Sequence, residues 1–221
     1  LFEESIMISS TVGDPHGLAR GLNNIGIVAM IQKRHKEAKL ILQESLAIAE
    51  ENGILSLIVD SLANLGLVAE ALGEYYQAKE YHQQAQGIYT EIGDRWAVAN
   101  SLSNLGFVLI ALGEYGEARR CFQESLEIAE ELQAVNLILE DLIGLAKLLS
   151  EDGKKEQALE LIASVLDHSA IGGKAKERAE QLLSELKPLL APRTFAMARE
   201  QGKGNDIRHY ARLYGVGQPV V

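Results

Sequence analysis

The sequence predicts an all-α fold, a solenoid of stacked helix pairs, on three observations. One stretch, SLSNLGFVLIALGEYGEA from Ser101 to Ala118, occurs three times at a spacing of 40 residues. Its other copies are SLANLGLVAEALGEYYQA from Ser61 and GLNNIGIVAMIQKRHKEA from Gly21, and a faded fourth copy runs from Asp141 to Ala158. Small residues hold one frame throughout: Gly26, Gly66, Gly106 and Ala146, then Ala38, Ala78, Ala118 and Ala158. A fixed period of this size marks a repeat architecture in which one unit cannot bury its own apolar face. Third, 47% of the residues are hydrophobic with few aromatics, and the Gly and Pro content suits helices joined by short turns.

Within a unit, Leu102, Leu105, Leu109 and Leu112 recur at three and four residues and form one helical face. Gly106 sits on that helix, where glycine costs about 1 kcal/mol against alanine. Three such glycines in register imply close approach of a second helix. Gly113-Glu114-Tyr115 breaks the first helix, and a second carries Ala118, Phe122, Ser125, Leu126 and Ala129. Gly13, Gly53 and Gly93 are C-terminal stops, with Gln133 in the place of the glycine in the last spacing. First helices are expected near 16–31, 56–72, 96–112 and 136–151, and second helices near 35–52, 75–92, 115–132 and 155–168.

At the start, Leu1–Ile6 aligns with Ile41–Leu46 inside a second helix. The chain therefore reads as a fragment cut from a longer protein, entering halfway through a repeat. Residues 1–14 are assigned to this truncated unit, 15–168 to four helix pairs, 169–191 to a closing helix and 192–221 to a short helical basic tail. In the closing helix, expected over Lys174–Leu190, Ala179, Leu182, Leu183, Leu186 and Leu190 share one side. The tail suggests helices over Thr194–Gln201 and Asp206–Tyr214, with Asn205 as an N-cap and Gly215–Pro219 frayed.

The spacing of Leu102, Gly106, Leu109, Ala118 and Phe122 resembles the tetratricopeptide repeat, over about residues 1–167. The period of 40 departs from the usual 34, and the late proline of the common repeat is missing. The resemblance implies a right-handed α-α superhelix whose first helices line a concave groove. Longer repeats of this kind are typical of bacterial signalling ATPases and transcription regulators, and occur in kinesin light chains and spindle-orientation adaptors. The order Ala198-Arg199-Glu200-Gln201-Gly202 before a short helix is similar to the tail of such ATPases. The setting implied is the C-terminal sensor or scaffold part of a larger bacterial protein.

Charge narrows the partners. Residues 1–170 hold 12 basic and 26 acidic residues, net −14, and residues 171–221 hold 9 and 5, net +4. An acidic body argues against direct nucleic-acid binding, since phosphate would be repelled. The basic tail could dock on that body, meet another partner or simply be solvated. No unbroken run of eighteen apolar residues occurs, and no membrane span is expected. The single Cys121 cannot form an internal disulfide and suits a reducing, cytoplasmic setting.

The family frame turns four positions of each first helix toward the groove. These are Arg20, Asp60, Asn100 and Glu140; then Asn24, Asn64, Asn104 and, breaking the series, Gly144; then Ile27, Leu67, Phe107 and Lys147; then Met30, Glu70, Ile110 and Ser150. An Asn amide offers donors and an acceptor, so asparagines one repeat apart could bracket the backbone of an extended peptide, with Ile27, Leu67, Phe107 and Ile110 making apolar contacts between them. The alternative is that each Asn bonds to a neighbouring helix or to water. A clamp for terminal carboxylates would need more groove cations than Arg20 and Lys147.

Catalytic and metal readings find no support. His16, His35, His82, His168 and His209 lack ligand spacing, and no cofactor is implied. Cys121 recurs as Ile41 and Tyr81, which reads as packing. Gly172-Gly173-Lys174-Ala175 lacks the elements of a phosphate loop. Trp96 is expected to be partly buried at a repeat junction, with a place at the groove rim as the alternative. The expected function is non-catalytic binding of a protein or peptide, the rival a structural array that self-associates.

Overall fold

A computed structural model describes residue 11 and residues 13–215. The truncated unit expected over residues 1–14 falls largely outside the described residues, as does most of the segment expected to fray. The described residues form α-helices and no strand. Two compact units divide the chain, one up to Asp94 and one from Arg95 onward.

The first unit holds α1 (Pro15–Ile31), α2 (His35–Glu51), α3 (Leu55–Leu72) and α4 (Tyr75–Ile92). Asp14 caps α1 by accepting from the Gly17 amide, and Pro15 opens the helix where no backbone donor is needed. α1 packs on α2, α2 on α3 and α3 on α4. By length and composition α3 is apolar enough to cross a membrane, although no unbroken apolar run marks it. Its Leu65 and Val68 are buried with Ala38 and Leu42 of α2, and its Val59 and Leu62 with Ala85 of α4. These are the surroundings of a core helix.

The second unit holds α5 (Arg95–Ala111), α6 (Tyr115–Glu131), α7 (Val135–Glu151), α8 (Lys155–Asp167), α9 (Gly173–Leu186), a 3-10 turn (Lys187–Leu189), α10 (Pro192–Gly202) and α11 (Ile207–Tyr214). One continuous core runs through it, from Leu105 and Phe122 to Ile162, Leu182 and Tyr210. The closing helix is shorter than its apolar pattern, because Pro188 forces the 3-10 turn before Leu190.

The in-register glycines face a large side chain rather than backbone. A Cβ on Gly26 would lie 2.6 Å from Leu42, one on Gly66 2.4 Å from His82, and one on Gly106 2.6 Å from Phe122. Each partner stands 16 residues on, in the second helix of the same hairpin. Gly144 of α7 meets the same Phe122 ring, where a Cβ would come within 2.2 Å. The ring is thus wedged between two first helices, which explains why the asparagine series breaks at Gly144.

Helix ends follow the expected stops at Gly53, Gly93 and Gly113, which are in left-handed conformation, and Gly73 and Gly153 share it. Lys33 and Gln133 adopt the same conformation, at φ 61° and 54°. The hairpin geometry imposes it on residues that carry a Cβ.

The basic tail folds back on the second unit. α10 packs on α8, with Gly202 so close to the Glu160 carbonyl that a Cβ would sit 2.1 Å away. Ser164 Oγ donates to the Asn205 carbonyl at 2.9 Å, and Gln123 to the Tyr214 carbonyl at 3.0 Å. Asn205 is not the N-cap of α11. Asp206 accepts from the Arg208 amide, while the Asn205 side chain donates to the Gln201 carbonyl and to Tyr210 Oη. Trp96 is 54% exposed, so the expected burial at a junction does not hold.

Gly144→Ala gains about 1 kcal/mol of helix propensity but overpacks Phe122 at a cost of about 1–3 kcal/mol. It should lower the thermal midpoint of the parent chain and raise that of a Phe122→Leu background. Equal shifts in both backgrounds would remove the ring from the explanation. Gln133→Gly should stabilise by about 0.5–1 kcal/mol, because relief of the left-handed strain outweighs the added backbone entropy. An unchanged or lower midpoint in chemical denaturation would contradict it.

Candidate peptide-binding face

Residues three or four apart on a helix share a face, and the sixteen expected groove positions obey this spacing on α1, α3, α5 and α7. In the first unit Arg20 and Asp60 are exposed, and Asn24, Ile27, Met30, Asn64, Leu67 and Glu70 are half-buried. The Asn64 amide donates to Asn23 Oδ1 of α1 at 3.2 Å, with Asn23 itself buried. One rung of the asparagine series is therefore tied to the neighbouring first helix. Partial desolvation raises the Asp60 carboxyl from its ordinary value.

Glu70 is drawn into its own hairpin. Its Oε1 lies 3.0 Å from Nε2 of His82, which is 1% exposed and sits where other second helices carry Leu42, Phe122 and Ile162. Only the register betrays this histidine in the sequence, where it reads as one of five scattered residues.

In the second unit Asn100, Asn104, Phe107 and Ile110 line α5, and Glu140, Lys147 and Ser150 line α7, all half-buried. Helix α9 adds what the sequence did not single out, Arg178 and Glu185. The Arg178 guanidinium covers Phe107 at 3.8 Å from the ring centroid and bonds Glu140 at 2.9 Å. Phe107 meets Phe122 edge-on at 5.0 Å. Lys147 Nζ contacts Glu185 at 2.8 Å and Glu151 at 3.3 Å. Burial alone would depress the Lys147 ammonium, but hydrogen bonds to the two carboxylates outweigh it and hold the pKa above its ordinary value. The Lys147 hydrogen bond in turn lowers the Glu185 carboxyl.

Between these pairs lies a cavity of about 160 Å³. Its floor is apolar, formed by Phe107, Ile110, Ile143 and Leu182, and Lys147, Arg178, Gln181 and Glu185 rim it. Both of its cations are already paired, Arg178 with Glu140 and Lys147 with Glu151 and Glu185, so an entering group meets no free cation there. A larger cleft of about 280 Å³ lies where α7 meets Ala170, Gly172 and the start of α9. It includes Glu140 alone of the expected positions and lacks a comparable apolar floor. No group of three or more His, Cys, Asp or Glu among the described residues is placed to hold a metal ion.

The tetratricopeptide repeat profile matches residues 18–52, 55–131 and 97–169. The chain belongs to the tetratricopeptide repeat family. No curated protein matches the sequence. Among solved structures the chain is similar to the crystal structure of BtubC (BKLC) from P. vanneervenii, at 16% identity and a TM-score of 0.67, over 99% of this chain and 91% of that one. At that identity the likeness concerns the fold alone. Tetratricopeptide repeats are generally protein-interaction modules and typically non-catalytic, and the asparagines and apolar residues described above lie on first helices of this architecture.

Proposed function

We propose that the chain is a non-catalytic binding module that holds an extended segment of a partner protein against its first helices. The observation that carries this reading is the cavity over Phe107 and Ile110. It is an apolar pit of side-chain size whose rim cations are already paired, with Asn104 and Asn100 one and two helical turns along α5 from Phe107. The pit takes one large apolar side chain of the partner, and the amides hold the adjacent backbone. On the first unit, Arg20, Asn24, Ile27, Asp60 and Leu67 form a second stretch of the same kind of face.

The 40-residue repeat supports a setting as the sensor or scaffold part of a larger bacterial signalling ATPase or regulator, and the lone Cys121 supports a cytoplasmic one. The acidic body supports a protein partner rather than a nucleic acid.

Selection of peptides from a displayed random library against the folded chain tests the reading. Recovered peptides should share a large apolar residue. Ile110→Asp should cost their binding at least about tenfold, since it places a charge in the apolar pit, with circular dichroism unchanged. Asn104→Ala should cost about 0.5–1.5 kcal/mol, one net hydrogen bond. Peptides that bind both variants as well as the parent would move the binding face elsewhere. Failure to recover any peptide, with a dimer in sedimentation, would favour the self-associating array.

A further inference from the structure

Asp141 of α7 is 0% exposed, deep in the core of the second unit. Its place in the repeat is held elsewhere by Gly21, Ser61 and Ser101. Both of its carboxylate oxygens lie without a hydrogen-bond partner, although the Ser103 and Ser125 hydroxyls flank it. A buried, unpaired carboxylate is costly, and such a group lowers the cost by keeping its proton.

The first unit shows what the position requires. Ser45 Oγ donates to the Ala19 carbonyl at 2.8 Å and lies 3.0 Å from Ser61 Oγ. A hydroxyl has one hydrogen, so Ser61 must be the donor of that pair. In the second unit Ser125 repeats the role of Ser45, donating to the Ala99 carbonyl at 2.9 Å. The residue in the place of Ser61 is now Asp141. A carboxylate has nothing to donate to Ser125, whereas a carboxylic acid has an O–H for it; the Ser103 hydroxyl can donate to either form.

We propose that Asp141 is held as the neutral acid in the folded chain and that its proton latches α7 to α6 through Ser125. The surrounding charges offer no substitute for that proton. Ser103 of α5 and Ser125 of α6 are neutral. The Arg119 guanidinium of α6 pairs with Asp152 at 2.6 Å, and Arg178 of α9 with Glu140. Arg208 and Arg212 of α11 line a separate cleft with Glu130 and Val135. Lys147 is held by Glu151 and Glu185. Glu140, next to Asp141 on its own helix, opposes ionisation further. Desolvation is the main cause of a pKa well above the ordinary carboxyl range, and the two serines offset it only in part.

A group whose folded pKa is raised stabilises the fold fully below its unfolded pKa, about 3.9. That contribution is lost as pH rises through the folded value. Because α7 also supplies Ile143 and Lys147, the latch sets how firmly that wall of the cavity is held.

The test compares unfolding of the full chain with that of Asp141→Ser, the residue found at the equivalent positions 61 and 101, and of Asp141→Asn, from pH 4 to 9. The folding constant of the parent relative to either variant should fall about tenfold per pH unit between the unfolded and folded pKa values. The Asp141 side-chain carbon, assigned in NMR spectra by its loss in Asp141→Ser, should titrate well above pH 4. A pH-independent ratio, or a carboxyl that titrates near 4, would overturn the latch. Should Asp141→Ser fold poorly, Asp141→Asn and the carbon titration still decide the matter.

Discussion

A large second-helix side chain seated on a first-helix glycine is the contact on which each hairpin depends. Leu42 on Gly26, His82 on Gly66 and Phe122 on Gly106 repeat it with different chemistry. Glycine weakens the helix that carries it, so its presence three times in register reflects helices drawn close enough to leave no room for a Cβ. The residue at the seated position then has consequences beyond its own hairpin. Phe122 is long enough to reach the next first helix, and Gly144 yields to it. Histidine at the same place reaches a carboxylate of its own hairpin, Glu70. The expected groove positions are therefore not interchangeable copies. What each can offer a ligand depends on the residue packed behind it.

Much of the architecture was legible because it rests on periodicity. Helix pairs, turn glycines and the left-handed place of Gln133 are local properties repeated at 40 residues, and repetition separates them from chance. The common helical position of Asn24, Asn64 and Asn104 was legible to the same extent. Their hydrogen bonds were not, because a bond such as Asn64 to Asn23 depends on how far one first helix is shifted against the next. Arg178 was invisible for a related reason. It lies beyond the clear repeats, and nothing in its own neighbourhood of sequence foretells Phe107 and Glu140 as partners. Asp141 could have been noticed. A charged residue in a register of Gly21, Ser61 and Ser101 contradicts the burial of that register, and the contradiction is visible by alignment of the chain with itself.

The last helix pair shows how the array ends. Positions that are polar in the earlier second helices change character together in α8. Lys39 and Arg119 bridge to Glu74 and Asp152 of the next hairpin, but Leu159 stands in their place and is fully buried. Gln43, Gln83 and Gln123 give way to Ala163, and Glu44 and Glu124 to Ser164. These smaller residues leave a surface that another backbone can approach closely, and Gly202 does so against the Glu160 carbonyl. A repeat that met solvent would have no reason to shed its polar groups at these positions. The sequence of α8 is thus shaped for a covering segment, which α10 and α11 supply. The positive charge of the tail then accompanies a docking driven by close packing and by the Ser164 and Gln123 hydrogen bonds to its backbone.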